Sequence, residues 1–227
     1  MSARDLLDSK AKDEVSQAIR ELETKTSAEV VVAVRAVSGH YRHTDWLVGF
    51  VLSFAAVCVF LFHPAPFDDD LLPVEVLLAF ALGGFISANV PPLRRALTSR
   101  RLMAENVRRA ARAAFVERGI SRTRGRTGLL IYVSTFEERV ELVSDIGLDF
   151  EALGDDVSVA RRRIEASIEN AGERAAFLAA LGDLGAALGR SLPRAEDDEN
   201  ELADEFDTLL ERGDVDQEPR PPAGARD

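Results

Sequence analysis

Two long uncharged stretches dominate the hydrophobic pattern of this chain. Residues 46–62 form 17 positions without a charged side chain, and residues 71–90 form 20 positions with one, Glu75. A helix rises about 1.5 Å per residue, so the first stretch reaches about 26 Å, close to the ~30 Å hydrocarbon core of a bilayer. Eleven of its residues are Leu, Val or Phe, and together they favour insertion by roughly 5 kcal/mol. The pattern predicts two transmembrane helices.

The segment HPAPFDDD, His63 to Asp70, separates the two stretches. Three consecutive aspartates inside the bilayer would cost about 2.5–3.5 kcal/mol each, which exceeds the gain from the first helix. The same residues cost little in an exposed loop. We therefore expect a membrane hairpin with a short outer loop. The alternative is a helical hairpin buried in the core of a soluble fold.

Positive charge is distributed unevenly around this hairpin. The connecting loop has no Lys or Arg, whereas arginines stand on both outer sides, namely Arg35, Arg42, Arg94, Arg95, Arg100 and Arg101. By the positive-inside rule both outer ends face the cytoplasm. The expectation is a multi-pass protein of the cell (inner) membrane, with its N- and C-termini and its polar mass on the cytoplasmic side of the lipid bilayer.

The polar remainder of the chain alternates helical and extended patterns. Apolar residues at helical spacing predict helices over Asp8–Lys25 and Leu93–Arg118. Short apolar runs predict buried strands over Glu29–Val37, Thr127–Ser134 and Arg139–Asp145. Because only the turn TFEE separates the last two strands, they are expected to pair as an antiparallel hairpin.

Two further amphipathic helices are predicted to complete the domain. Their apolar stripes are Val157, Ala160, Ile164, Ile168 and Ala171 in the first, and Phe177, Leu181, Leu184 and Leu188 in the second. Helices around a small mixed sheet predict an α/β sandwich. The hairpin then interrupts this domain, with residues 1–45 before it, residues 46–90 forming it, and residues 91–195 completing the domain.

Charge separates two segments of opposite sign. Residues 196–227 carry 13 acidic residues against three arginines and are expected to be a disordered tail. Residues 94–126 carry 11 arginines against two glutamates. One arginine stripe of this segment consists of Arg94, Arg101, Arg108 and Arg112. It either binds anionic lipid headgroups, at about 1 kcal/mol per close residue, or only sets topology. Nucleic acid is disfavoured because aromatic residues are not interleaved with the arginines.

Four segments in this order resemble the TPM domain family. They are TKTSAEVVVAV, RTRGRTGLLIYVS, ERVELVSDIGL and LGAALGRSLPRAEDDENELADE. The family is associated with photosystem II repair and with bacterial membrane proteins, and one bacterial subgroup has a two-helix membrane hairpin after the first strand. The resemblance implies an α/β sandwich and, in some relatives, acid phosphatase activity or calcium binding.

The resemblance also carries particular residues over to this chain. The family's acidic residue after its first threonine falls on Glu29, its arginine at the start of the third strand on Arg139, and its Asp-x-Gly turn on Asp145 and Gly147. Asp149 stands where relatives often have another carboxylate or polar residue. If the family's phosphatase activity is present here, the resemblance implies Asp145, Arg139 and Glu29 as its catalytic residues. For Glu29, a structural ion pair with an arginine is the alternative.

Carboxylates near this turn form a candidate metal site. Asp145, Asp149, Asp155 and Asp156 could gather at one end of the sheet, and oxygen ligands of this kind suit calcium or magnesium. Gly147 would allow a turn with positive φ, and Arg139 could bind phosphate oxygens with its planar guanidinium. Alternatively, these aspartates only cap a turn and a helix through bonds to backbone N–H groups.

Two functions follow from these expectations. The first is a non-catalytic module that binds or assembles an unknown membrane protein partner. The second is a metal-dependent acid phosphatase, a phosphomonoesterase. No histidine follows His63 and no cysteine follows Cys58, so neither residue type can act as nucleophile or proton shuttle in the later part of the domain. The sequence therefore favours the binding module.

Overall fold

A computed structural model of the chain describes residues 9–64, 70–150, 152–169, 174–194 and 207–209. The helices are α1 (Ser9–Glu23), α2 (Arg42–Phe62), α3 (Leu72–Asn89), α4 (Pro91–Leu97), α5 (Arg100–Glu117), α6 (Asp155–Glu169) and α7 (Arg174–Ser191). The strands are β1 (Glu29–Arg35), β2 (Gly128–Ser134), β3 (Arg139–Ser144) and β4 (Asp207–Leu209). A short 3-10 helix, Ile120–Arg122, precedes β2.

These strands form one mixed sheet with the order β3-β2-β1-β4. β1 and β2 are parallel, with Glu29 opposite Gly128 and Arg35 opposite Ser134. β2 and β3 are antiparallel, and Ser134 lies opposite Arg139 next to the turn that joins them. The predicted α/β class and the predicted antiparallel hairpin are confirmed.

Helices cover both faces of the sheet, since alternate strand residues point to opposite sides. Val30, Val32 and Val34 of β1 face a core that also contains apolar residues of α1, α6 and α7. Val31 and Ala33 face a second core formed with α5 and the 3-10 helix. The stripes predicted for the last two helices are buried, apart from Ala171, which lies outside the described residues.

The hairpin helices α2 and α3 follow β1 and precede α4 along the chain, in the order that the insertion hypothesis predicts. The two helices pack against each other. Glycines allow the close approach. A Cβ atom on Gly83 would stand 2.8 Å from Gly49 Cα and 2.8 Å from the carbonyl oxygen of Val48. Helix α2 begins at Arg42, four residues before the uncharged stretch starts.

The helix predicted over Leu93–Arg118 is divided in the structure, so this prediction was wrong in its continuity. Thr98 lies between α4 and α5 in an extended conformation, with φ −90° and ψ 136°. Its hydroxyl donates to the carbonyl oxygen of Arg94 at 2.7 Å. A threonine that bonds locally to the backbone competes with continued helix, which explains the break.

The acidic tail also departs from the prediction. Asp207–Leu209 was expected to be disordered but forms β4, whose backbone pairs in parallel with Ala33–Arg35 at the edge of β1. Backbone pairing to an open strand edge depends little on side-chain charge, so composition did not reveal it. The rest of residues 196–227 lies outside the described part of the chain.

Candidate functional site

The outer surface of the hairpin is apolar. By length and composition, helices α2 and α3 are long and apolar enough to cross a membrane. Of the 18 most apolar consecutive residues in each helix, only 6% are buried in α2 and 11% in α3. Large side chains face outward, including Phe54, which is 61% exposed, and Phe85, which is 66% exposed. A hairpin forming the core of a soluble fold would bury these residues, so that alternative is wrong for the described structure.

Polar contacts connect the base of the hairpin to α4. Arg94 Nη2 donates to Asp45 Oδ2 at 2.8 Å, and both side chains are largely buried. Ser87 Oγ donates to the other oxygen of Asp45 at 2.8 Å, and the hydroxyls of Thr44 and Thr98 lie 3.1 Å apart. These contacts join the start of α2, the end of α3 and α4, and they orient the hairpin relative to the following chain.

A buried polar cluster lies at the carboxyl ends of β1 and β2. We call it the Glu137 cluster; its members are Ser38, Tyr41, Asn106, Tyr132, Ser134 and Glu137. Glu137 is 4% exposed. Its Oε1 accepts from Ser38 N at 2.9 Å and from Tyr41 OH at 2.7 Å. Ser134 Oγ donates to Oε2 and accepts from Ser38 Oγ at 2.7 Å. The cluster thereby fastens the segment entering α2 to the sheet.

Both tyrosines of the Glu137 cluster remain protonated donors at neutral pH. Burial raises the pKa of Tyr41 far above its usual range, the bond from Asn106 opposes the rise, and Glu137 adds to it. Burial also raises the pKa of Tyr132, against an opposing bond with Ser38, whose hydroxyl lies 3.1 Å away. The arrangement holds the protons of both tyrosine hydroxyls in place.

The predicted turn at Asp145 lies at the opposite end of the sheet. Arg126 Nη2 donates to Asp145 Oδ1 at 3.0 Å, and Ile146 N donates to the same oxygen at 2.8 Å. Arg126 Nε stands 2.8 Å from Oδ2 in an ion-pair contact without hydrogen-bond alignment. Burial alone would raise the pKa of Asp145, but the bonds from Arg126 and Ile146 lower it below its usual value.

Gly147 has a role in this turn that differs from the predicted one. The φ angle of Gly147 is not positive. Among the described glycines, Gly119 and Gly154 have positive φ angles. Instead, a Cβ atom on Gly147 would stand 2.6 Å from the carbonyl oxygens of Gly125 and Arg126. The glycine is required because two backbone segments approach closely.

Of the other predicted metal ligands, Asp149 lines the same cavity as Asp145, whereas Asp155 and Asp156 belong to α6. Asp149 Oδ1 accepts from the backbone N–H of Ala152 at 3.4 Å. Asp155 and Asp156 lie in the first turn of α6, where acidic side chains interact favourably with the helix dipole. Asp156 also pairs with Arg190 at 2.8 Å.

The described side chains do not gather into a site suited to calcium or magnesium. Among the described residues no three His, Cys, Asp or Glu side chains stand together in a way that could hold a metal ion. The most buried carboxylate of the predicted set, Asp145, already has both oxygens against the guanidinium of Arg126. The arrangement matches the alternative in which these aspartates organise a turn and a helix start.

The predicted catalytic residues are distributed over two ends of the sheet. Glu29 is buried at the start of β1, at the same end as Asp145. Arg139 begins β3 and Asp145 follows its last residue, so a strand of about 17–20 Å separates them. The prediction that Arg139 binds a phosphate held at Asp145 is therefore wrong, because an extended strand carries its two ends apart.

The arginine stripe is largely paired within the chain. Arg94 bonds Asp45, Arg101 bonds Glu105 at 3.0 Å, and Arg108 lies 3.4 Å from Glu141. Arg112 is exposed and makes no ion pair with another described residue. Headgroup binding by the stripe and a purely topological role both remain predictions.

Sequence reasoning missed the Glu137 cluster. The turn TFEE was interpreted only as a connection between strands, although Glu137 is the buried acceptor of the cluster. One signal was present, because Ser38 and Ser134 come at the carboxyl ends of two apolar strands. Ligand and polar sites of α/β sheets concentrate at such ends.

Comparison with known proteins gives a likeness in fold. No protein-family model matches the chain, and no curated protein sequence matches it. Among solved structures, it is similar to the NMR structure of BA42 protein from the psychrophilic bacterium Bizionia argentinensis sp. nov.. The TM-score is 0.51 and the identity 16%, over 87% of this chain and 91% of that chain. At this identity the likeness shows a shared α/β fold.

Proposed function

We propose that this protein is a multi-pass membrane protein of the TPM family, with a cytoplasmic α/β domain that serves as a non-catalytic binding or assembly module for a membrane complex. The observation that carries the proposal is the outward-facing apolar surface of α2 and α3. The side chains that compose it include Leu47, Phe50, Leu61, Leu78 and Phe85.

The number of exposed apolar side chains on α2 and α3 favours a lipid bilayer, rather than water, as the surroundings of this surface. Fifteen large apolar side chains of α2 and α3 are exposed. Burying one such side chain stabilises a protein by roughly 1.5–3 kcal/mol. Leaving all of them in water would forgo more free energy than the 5–15 kcal/mol, roughly, by which a typical domain is stable. A bilayer supplies the apolar cover over the full length of both helices.

The contacts at the hairpin base support a module that is held in a set orientation. The Asp45–Arg94 ion pair fixes α4 against α2, and the bond from Tyr41 to Glu137 fixes the entry of α2 against the sheet. A domain oriented in this way presents the same surface to every neighbour in the membrane plane. This property suits assembly of a complex, and the flanking arginines favour the cytoplasmic side.

Nothing among the described residues favours the phosphatase alternative, because Asp145 is ion-paired with Arg126 and Arg139 lies at the other sheet end. We expect the purified protein to leave p-nitrophenyl phosphate intact, with or without calcium or magnesium. Turnover that disappears in Asp145→Asn would contradict this expectation.

Membrane insertion is tested by cell fractionation and carbonate extraction. The native chain is expected in the carbonate-resistant membrane fraction. Arginines at two lipid-facing positions, Phe54→Arg with Leu78→Arg, cost about 2.5–3.5 kcal/mol each on insertion and should shift the chain towards aggregates. Arg112→Gln on the domain is the control. Release of the native chain by carbonate would overturn the proposal.

Topology and partner binding need separate measurements. Reporter fusions at Asp70 and at residue 227 are expected to report opposite sides of the membrane, with the second in the cytoplasm. Crosslinking in intact membranes should then yield a discrete adduct with another membrane protein. An adduct pattern restricted to lipid and to single chains would argue against an assembly module.

A further inference from the structure

A cavity of about 630 Å³ opens between α4, the start of α5 and the turn joining β2 to β3. Three arginines line it, namely Arg95 of α4, Arg100 of α5 and Arg139 at the start of β3. Two acidic residues, Glu137 and Glu138, form its wall on the turn side. The cavity therefore collects positive charge from three separate parts of the chain and is large enough for a phosphate ester.

The cavity lies next to the end of the hairpin. Helix α4 begins at Pro91, directly after α3 ends at Asn89. Val90 separates the two helices, and the four helical steps from Pro91 to Arg95 rise about 6 Å. Each headgroup layer of a bilayer is about 5–7 Å thick. If α3 crosses the membrane, the opening lies at the level of the headgroups.

Among the three arginines of the cavity, Arg100 is the one left for an anion. Arg95 pairs with Glu138, and Glu137 is engaged by the donors of the Glu137 cluster. Arg100 is exposed and makes no ion pair or hydrogen bond with any other described residue. A guanidinium offers planar, paired N–H donors that match phosphate oxygens.

The first turn of α5 adds a second argument. It contains Arg100 and Arg101 and no acidic residue, and Ser99 makes no side-chain cap bond. Positive side chains at a helix N-terminus are unfavourable because the helix dipole places partial positive charge there. An anion in the cavity would offset both sources of repulsion.

We propose that this cavity binds the phosphate of an anionic glycerophospholipid headgroup, such as that of phosphatidylglycerol. Arg100 and Arg139 contact the phosphate oxygens, and Arg95 exchanges its bond with Glu138 for a bond to the lipid. The two glutamates restrict the site to a singly charged phosphodiester. The inference rests on the proposed membrane insertion, since α3 must bring the opening to the headgroup level.

The test uses the full chain in neutral detergent micelles, titrated with dioctanoyl phosphatidylglycerol, dioctanoyl phosphatidylcholine or glycerol phosphate. Binding is measured by calorimetry and by the shift in melting temperature. Phosphatidylglycerol is expected to bind at least tenfold more tightly than the other two. Arg100→Gln should weaken this binding about fivefold and the double variant with Arg139→Gln about thirtyfold. Arg20→Gln, an exposed arginine of α1 on the other face of the sheet from α5, is the matched control and should bind as the native chain does.

Each outcome has a defined meaning. Equal affinity for phosphatidylglycerol and phosphatidylcholine would overturn the selectivity for anionic lipid, and equal affinity for glycerol phosphate would assign the cavity to soluble phosphate esters. Equal weakening in Arg20→Gln would assign the effect to surface charge. The melting temperature without lipid shows whether each variant is folded. If the double variant does not fold, Arg100→Gln alone still tests the inference, because Arg100 is exposed. Carbonate-resistant protein without lipid preference would refute this inference but leave the membrane proposal intact.

Discussion

Replacement of Glu137 by alanine is the most direct test of the Glu137 cluster. The carboxylate is 4% exposed and accepts bonds from Ser38 N, Tyr41 OH and Ser134 Oγ. Glu137→Ala removes all three acceptor contacts at once. The neighbouring Glu138 is the matched control, because its side chain is 37% exposed and makes one ion pair, with Arg95.

The magnitude follows from what the substitution leaves behind. A buried donor without an acceptor costs about 1–3 kcal/mol, and Glu137→Ala orphans the N–H of Ser38 and the hydroxyls of Tyr41 and Ser134. Water entering from the adjacent cavity would reduce this cost, so we expect a net loss of about 3 kcal/mol. For a chain of this size that lowers the melting temperature by about 6–12 °C. Glu138→Ala should cost at most about 1 kcal/mol, since exposed ion pairs contribute little.

The assay is urea unfolding of the full chain in mild detergent, followed by far-ultraviolet circular dichroism and by melting temperature. Glu137→Gln retains one carbonyl acceptor and should lie between the native chain and Glu137→Ala. If Glu137→Ala is no less stable than Glu138→Ala, the cluster does not connect α2 to the sheet in the way described, and the reasoning from buried donors fails.

Three further predictions concern packing and pH. Gly83→Ala should destabilise the hairpin by about 1–3 kcal/mol, because the new Cβ would stand 2.8 Å from Gly49 Cα. Gly84→Ala is the control: its Cβ would meet only a carbonyl oxygen at 3.6 Å, so the melting temperature in micelles should stay unchanged. Because the pKa of Asp145 is lowered in the folded chain, this residue contributes stability at pH values above its ordinary pKa of 3.8, and that stability is lost as the pH falls through the folded pKa. Acid unfolding curves of Asp145→Asn should lack this component. A curve identical in shape to the native one would contradict the ion pair. Because the pKa of Tyr41 is raised in the folded chain, this residue contributes stability that is present below pH 10.0 and lost as the pH rises above it. The urea midpoint of the native chain should therefore fall at alkaline pH, and Tyr41→Phe should reduce this fall. An unchanged dependence of the urea midpoint on pH would refute the assigned burial.

Local patterns predicted most elements of this fold. The apolar stretches 46–62 and 71–90 correspond to α2 and α3, and the predicted strands match β1, β2 and β3 within two residues. These predictions succeed because helical and extended periodicity is determined by which positions along a short segment must be apolar. The break at Thr98 was missed because threonine disfavours a helix only weakly, so a single threonine within a helical pattern does not mark where the helix ends.

The sites depended on contacts between distant segments. Asp145 and Arg139 are close in sequence, yet they flank one extended strand and end far apart. Glu137 is separated from Ser38 by about a hundred residues that include the whole hairpin, and the two are bonded. No pattern within a single segment encodes either relation.

The sequence by itself determined that two apolar helices interrupt an α/β domain, because burial of apolar side chains is a property of each segment and its solvent. Only the tertiary structure decided which charges meet, since parallel pairing of β1 with β2 brings their carboxyl ends together at the hairpin base. That pairing places Glu137 among its donors and leaves Asp145 with Arg126 at the other end of the sheet.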